Sequence, residues 1–147
     1  MPGYIRPRSD PQSNRQTSKN WVYVISGAKG YWGVVCSAGL QFIDGFSHLH
    51  LLYAFHCSHG YALQVKPFLD DQPRGLFSTR HPCRPNPLGL SVVRLVRINE
   101  NLLEVEGVDM FDGTPLLDIK PYVLDFDIRE DVRTGWYASR SVKERTR

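Results

Sequence analysis

The stretch 90–108 constrains the fold more than any other part of the chain. Two aliphatic and β-branched runs, Leu90-Ser91-Val92-Val93-Arg94-Leu95-Val96-Arg97-Ile98 and Leu102-Leu103-Glu104-Val105-Glu106-Gly107-Val108, are separated only by Asn99-Glu100-Asn101. Two such runs joined by so short a polar link read as an antiparallel hairpin. In the second run Leu103 and Val105 alternate with Glu104 and Glu106, which predicts one buried and one wet face. A hairpin of this kind needs further sheet to cover its apolar face, and ten prolines with twelve glycines leave little room for long helices. The expected fold is therefore all-β: a small β-barrel or a strongly curved antiparallel or mixed sheet with few short helices.

The rest of the chain supplies candidate strands. Trp21 to Ile25 and Tyr31 to Val35 flank Ser26-Gly27-Ala28-Lys29-Gly30, a hairpin-like connection. Phe46 to His56 is apolar and aromatic without helical spacing, and Tyr61 to Lys66 is a shorter candidate that ends at Pro67. A turn at Asp112-Gly113-Thr114-Pro115 leads into Leu116-Leu117-Asp118-Ile119. The expected organisation is a basic N-terminal arm over 1–20, a β-barrel domain over 21–137 and a basic C-terminal tail over 138–147. The arm is rich in Arg, Ser, Pro, Asn and Gln, which suits extended chain better than a central strand.

Charge is distributed unevenly. The net charge of the whole chain is +3. Arg6, Arg8, Arg15 and Lys19 against Asp10, and Arg140, Lys143, Arg145 and Arg147 against Glu144, make each end +3 and leave the middle −3. Attraction for a polyanion such as RNA is thus expected from the ends and from local clusters, with frayed, solvated tails as the alternative. No apolar run is long enough to cross a bilayer, the first residues lack a secretory pattern, and three cysteines make no disulfide framework. A cytoplasmic location without membrane association is expected.

Two patterns carry less than they suggest. Gly27, Gly30 and Gly33 have the wrong spacing for a nucleotide loop and no helical pattern after them, so they read as turn residues. His48, His50 and His56 share the parity of one strand, with Cys57, His59, His81 and Cys83 nearby, yet no spacing closes a tetrahedral set and no metal is expected.

Two clusters do carry chemistry. In Thr79-Arg80-His81-Pro82-Cys83-Arg84-Pro85-Asn86-Pro87-Leu88-Gly89-Leu90, three prolines fix φ beside two permanent planar cations, which makes a rigid basic loop suited to an anionic ligand. The second, Asp109-Met110-Phe111-Asp112-Gly113-Thr114-Pro115-Leu116-Leu117-Asp118-Ile119-Lys120-Pro121-Tyr122, gathers carboxylates, a lysine and a tyrosine at the end of the hairpin. Its carboxylates can accept from ribose hydroxyls, from an amino group or from turn amides; on residue type alone Asp112 reads as a turn residue, and Asp109 and Asp118 stay open.

Together these clusters resemble those of the TrmO/TsaA-like tRNA (adenine-N6)-methyltransferase family. Phe46-Ser47-His48-Leu49 is a third match, the likeness spans about residues 40–137, and it includes the closing Val132-Arg133-Thr134-Gly135-Trp136. Gly3-Tyr4-Ile5-Arg6 and Asn14-Arg15-Gln16 are similar to the family's opening and to its Pro-Arg-Gln loop, with Asn14 in place of proline. The resemblance implies a mainly β fold, a homodimer with S-adenosylmethionine near the subunit interface, and methylation at N6 of threonylcarbamoylated adenosine 37 beside the tRNA anticodon. By position, the implied cofactor contacts are Arg15, Gln16, His56, Cys57, Arg80, Leu90, Asp109, Met110, Phe111 and Asp112. Cys57 stands where the family usually has glutamine or lysine. Residues 19–39 show no such likeness, and the C-terminal domain of the longer members has no counterpart here, so RNA is expected to meet the barrel, the basic ends or a dimer groove.

Charge matching at the positions the resemblance implies gives Arg80 or Arg15 the cofactor carboxylate and the 109–112 segment the ribose or adenine edge. Asp109, Asp112, Asp118, His48 and Tyr122 are the available proton acceptors, and the residue types do not choose among them. A non-catalytic RNA-binding barrel, or a methyltransferase acting on another small molecule or nucleotide, are the competing functions.

Overall fold

The protein is described here by a computed structural model over residues 3–7, 22–26, 37–100 and 102–138, with the backbone alone for 3–7, 22–26 and Ser37. Eight strands dominate: β1 (Gly3–Pro7), β2 (Val22–Ser26), β3 (His48–Ala54), β4 (Gln64–Val65), β5 (Arg74–Gly75), β6 (Leu88–Asn99), β7 (Leu102–Glu106) and β8 (Thr114–Pro121). A single α-helical turn, α1 (Leu124–Asp127), and four short 3-10 turns complete the described elements. Six strands pair antiparallel in the order β1-β2-β7-β6-β3-β8, and β8 pairs back onto β1, so the ladder closes on itself. Closure leaves the ladder without a free edge for another chain to extend. β4 and β5 form a separate two-stranded ribbon. The mainly β, antiparallel architecture is the one expected.

The hairpin at the centre of that expectation is β6–β7, with Asn99 opposite Leu102 and Glu100 at φ 54°, in the left-handed region that tight hairpin turns use. β3 explains the core. Its burial alternates strictly, placing Leu49, Leu51 and Tyr53 inside and His48, His50 and Leu52 on the other face. Leu49, Leu51, Val93, Leu103, Val105 and Leu116 are nearly or fully buried with Tyr53 and Leu40 in one cluster.

Several expectations need correction. Glu104, assigned to a wet face, is only 8% exposed, because Arg97 pairs with its carboxylate and β2 covers that stretch of β7. The run 61–66 yields only the two-residue β4. Both edges of β2 are taken by β1 and β7, so β2 cannot form the expected hairpin with 31–35; that segment, like Gly27, Gly30 and Gly33, lies outside the described residues. Residues 3–7, read as part of an extended arm, are a strand paired on both sides. Available sheet edges outweighed a composition poor in strand formers.

One glycine is dictated by packing. Gly89 lies opposite Tyr53 on the neighbouring strand, and a Cβ there would sit 2.1 Å from Cε2 of the buried tyrosine ring. Only hydrogen at that position lets the ring lie on the backbone, where its hydroxyl reaches the Ser91 hydroxyl at 3.0 Å.

Candidate functional site

Antiparallel pairing puts the C-terminal ends of β3 and β7 and the N-terminal ends of β6 and β8 at one end of the sheet. Three loops therefore meet there: 55–59 after β3, the proline-rich loop 80–87 before β6, and 107–113 between β7 and β8. The first two are tied together by the Phe55 amide donating to the Pro87 carbonyl at 2.8 Å and the Ser58 hydroxyl donating to the Pro82 carbonyl at 3.2 Å. Gly107 and Gly113, at φ 84° and 75°, turn the third loop, and the Thr114 hydroxyl closes its far end on the Phe111 carbonyl at 2.7 Å.

Two clefts open between these loops. The first, about 790 Å³, is lined by His56 and Cys57 from one loop, Pro82 and Cys83 from the second, and Asp109, Met110 and Phe111 from the third. The second, about 530 Å³, takes in Arg80, Leu90, Asp109 and Tyr53. Phe55, Pro82 and Asp109 border both, so the clefts are neighbours along one wall. Their sizes fall within the range typical of small-molecule sites.

The two arginines of the basic loop have different fates. Arg84 Nη1 donates to the carbonyls of Leu76, Thr79 and His81 at 3.4, 3.0 and 3.4 Å, and its guanidinium lies over the Phe77 ring at 5.5 Å. It holds the loop's shape. Arg80 is exposed, and among the described residues no carboxylate pairs with it. A cation left without a partner at the mouth of a cleft is available to an anionic ligand.

Of the residues expected at the site, His56, Cys57, Arg80, Leu90, Asp109, Met110 and Phe111 are brought to this end of the barrel. Asp112 is not among the lining residues of either cleft; it is exposed at the turn beside Gly113, the role its residue type suggested. Arg15 and Gln16 lie outside the described residues. Of the five possible proton acceptors, Asp109 alone is among the described residues that line these two clefts. Asp118 is bound to Lys120 at 2.8 Å and to the Ile119 amide at 2.9 Å. His48 and Tyr122 sit at the start of β3, joined by the Tyr122 amide and His48 carbonyl at 3.0 Å; strand rise separates them from Ala54 by about 20 Å. Sequence reasoning missed Phe55, Ser58, Pro82 and Thr114 as parts of the site, although the rigidity of the proline loop was the signal that pointed to its neighbourhood.

Near the start of β3, on the face turned away from the core, side chains contact one another. His50 Nε2 lies 3.0 Å from Asp127 Oδ1, and its ring tilts against Tyr122 at 5.3 Å. The Val123 amide donates to Asp127 Oδ2 at 2.7 Å. That hydrogen bond, foremost, holds the Asp127 carboxyl below its ordinary pKa, with His50 acting in the same direction and desolvation opposing. Among the described residues no three His, Cys, Asp or Glu side chains are grouped to hold a metal ion, and no helix is long and apolar enough to cross a membrane.

Comparison with known proteins matches residues 24–128 to the family model described as tRNA-methyltransferase O N-terminal domain. A probable S-adenosyl-L-methionine-binding protein of Pyrococcus abyssi is 54% identical over 100 residues, 68% of this chain and 54% of that protein. The tRNA (adenine(37)-N6)-methyltransferase of Mus musculus is 43% identical over 91 residues, 60% of this chain and 21% of that one. Among solved structures, a crystal structure of TrmO superposes with a TM-score of 0.69 at 33% identity, covering 91% of this chain and 61% of its own. The chain thus spans only part of the length of these relatives. With more than half of its residues inside the family model and a 54% identical relative over two thirds of its length, the chain belongs to the family of the tRNA-methyltransferase O N-terminal domain.

Proposed function

We propose that the chain binds S-adenosylmethionine across the two joined clefts and transfers its methyl group to N6 of adenosine 37 in tRNA. The observation that carries this reading is the convergence of three loops on one wall that offers an unpaired guanidinium, a carboxylate and apolar surface in sequence. These groups fit the cofactor's parts. Arg80 suits the amino-acid carboxylate through a planar, two-pronged pairing. Asp109 suits ribose hydroxyls, which donate, and Phe55, Met110 and Phe111 offer apolar surface for the adenine ring. His56 and Cys57 close the first cleft, Leu90 the second, and Arg15 and Gln16 are assigned to the same ligand by the family resemblance.

The bound cofactor supplies a methyl group already activated as an electrophile. The chain's task would then be placement: a loop held by Arg84 and three prolines fixes Arg80 and Pro82 beside the clefts, and as the N–C bond formed and the S–C bond broke, S-adenosylhomocysteine would leave and the N6 proton would pass to Asp109 or to water. Positioning of this kind contributes on the order of 7–11 kcal/mol to a reaction between two molecules. The names of the mammalian and archaeal relatives and the family model support the substrate and cofactor classes.

The finer reading follows the family resemblance: the adenosine carries a threonylcarbamoyl group, the enzyme recognises the anticodon loop, works as a homodimer and resides in the cytoplasm. The segment 138–147 would contribute sequence-independent attraction to RNA. Calorimetric titration with S-adenosylmethionine tests the core of the proposal. Saturable binding that Arg80→Ala abolishes supports it, and no binding at millimolar cofactor leaves a non-catalytic RNA-binding barrel. Mass spectrometry of nucleosides from tRNA with and without the threonylcarbamoyl group then tests the substrate.

A further inference from the structure

A third cleft, about 860 Å³, lies on the outer side of the proline-rich loop and is built largely of aromatic rings. Phe68, Phe77, Trp136 and Tyr137 line it together with Arg80 and His81, and no carboxylate is among its lining residues. Phe68 is 101% exposed and Phe77 75%, unusual for rings gathered in one place.

Two of these rings are held by guanidinium groups. The Trp136 indole donates from Nε1 to the Ser78 carbonyl at 2.8 Å, and Arg74 lies over its ring at 5.6 Å. Arg74 is in turn gripped by Asp70, through Nε at 2.8 Å and Nη2 at 2.7 Å, and the Asp70 side chain is fully buried. Phe77 is backed by Arg84, which is anchored on three carbonyls. Trp136 and Tyr137 meet edge to face at 5.8 Å, while the Phe68 and Phe77 rings stay exposed. This is an arrangement for accepting flat π-systems.

We propose that this cleft stacks unpaired bases of single-stranded RNA next to the nucleotide being methylated. Charge and continuity select this occupant. The lining holds His81 and no carboxylate that would repel a phosphate backbone, while the rings match bases without regard to sequence. The cleft also shares Thr79, Arg80 and Pro82 with the second cofactor cleft, so a strand lying in it passes directly to the reaction site. The inference deepens the RNA reading given above and rests on the substrate being RNA.

The test measures anisotropy of a short fluorescein-labelled single-stranded RNA against the full chain, Phe68→Ala and Phe77→Ala. Phe68 is fully exposed, so its substitution leaves the fold intact even where Phe77→Ala loosens Arg84. Each substitution is expected to weaken RNA binding about 5- to 150-fold. The slope of affinity against salt should stay unchanged, since no phosphate contact is removed, and calorimetric affinity for S-adenosylmethionine should be retained in Phe68→Ala. Unchanged RNA affinity in both variants overturns the proposal, as does the absence of RNA binding by the parent protein. So does a shift from dimer to monomer in sedimentation with RNA affinity intact, which would give this face to a second copy of the chain. Stacking losses in a protein that fails to bind the cofactor would sustain this inference and defeat the methyltransferase reading.

Discussion

The two ends of strand β3 share one core and one set of neighbouring strands, yet they treat their polar groups in opposite ways. At the His48 end, His50 Nε2 lies 3.0 Å from Asp127 Oδ1 without a well-formed hydrogen bond, Asp127 accepts from the Val123 amide, and Tyr122 packs against His50. At the Phe55 end, loops diverge around clefts, and Arg80 stands exposed without a carboxylate among the described residues. The same contrast recurs inside one loop, where Arg84 is tied to three carbonyls and Arg80, four residues away, is not. Groups packed against one another hold a structure together; an exposed cation without a carboxylate beside it is available to a ligand.

The comparison can be broken first at its shared base. Leu51 is fully buried near the middle of β3, and Leu51→Ala should cost about 2–5 kcal/mol of stability, weakening both ends together in thermal unfolding. A loss confined to cofactor binding would show that the ends do not share a core. Arg80→Ala should act on one end alone. It is expected to weaken S-adenosylmethionine binding by about 1.5–3 kcal/mol, the range for hydrogen bonds to charged groups. Its melting temperature should hold, because exposed substitutions usually change stability by no more than about 0.5 kcal/mol. A melting temperature that falls while binding persists would reverse the roles given to Arg80 and Arg84.

Gly89→Ala sharpens the boundary between packing and function. A methyl group against the Tyr53 ring should destabilise the protein by about 1–3 kcal/mol and shift a ring that borders the second cleft. Cofactor affinity should fall with stability, and adding Tyr53→Leu should restore part of the stability by relieving the overlap. No loss in the single variant would mean that the ring has somewhere else to go. The smallest effect belongs to Asp127, beside His50 on the outer face of β3. The folded-state pKa of Asp127 is depressed, so its stabilisation is complete above the ordinary carboxylate value and is lost as pH falls through the lowered one. Asp127→Asn should therefore flatten the loss of stability below about pH 4 without altering cofactor binding. An acid limb as steep as that of the parent protein would assign the effect to other carboxylates.

How far these features could be read in advance depended on whether they were local. The β6–β7 hairpin is written in a short link and two apolar runs, and the strict alternation in β3 follows from its pattern once it is known to be a strand. The proline-rich loop was legible because proline restricts φ whatever surrounds it. Glu104 was misjudged because its surroundings come from β2, some eighty residues earlier, and from Arg97 across the hairpin. The alternation rule assumes that an acidic residue faces water, and a cross-strand guanidinium with a covering strand removes that assumption.

Residue types and their spacing by themselves determined the mainly β class, the central hairpin, the rigid basic loop and, through the resemblance those motifs carry, most residues now gathered at one end of the barrel. Tertiary structure alone decided that Arg84 supports and Arg80 presents, that Asp109 rather than Asp118, His48 or Tyr122 borders a cleft, and that Gly89 is required beneath Tyr53. The physical reason is reach. Proline, turn and strand preferences act over a few bonds, whereas pairing of a charge, closure of a ladder and contact of a ring with a distant backbone exist only after strands far apart in the chain have met.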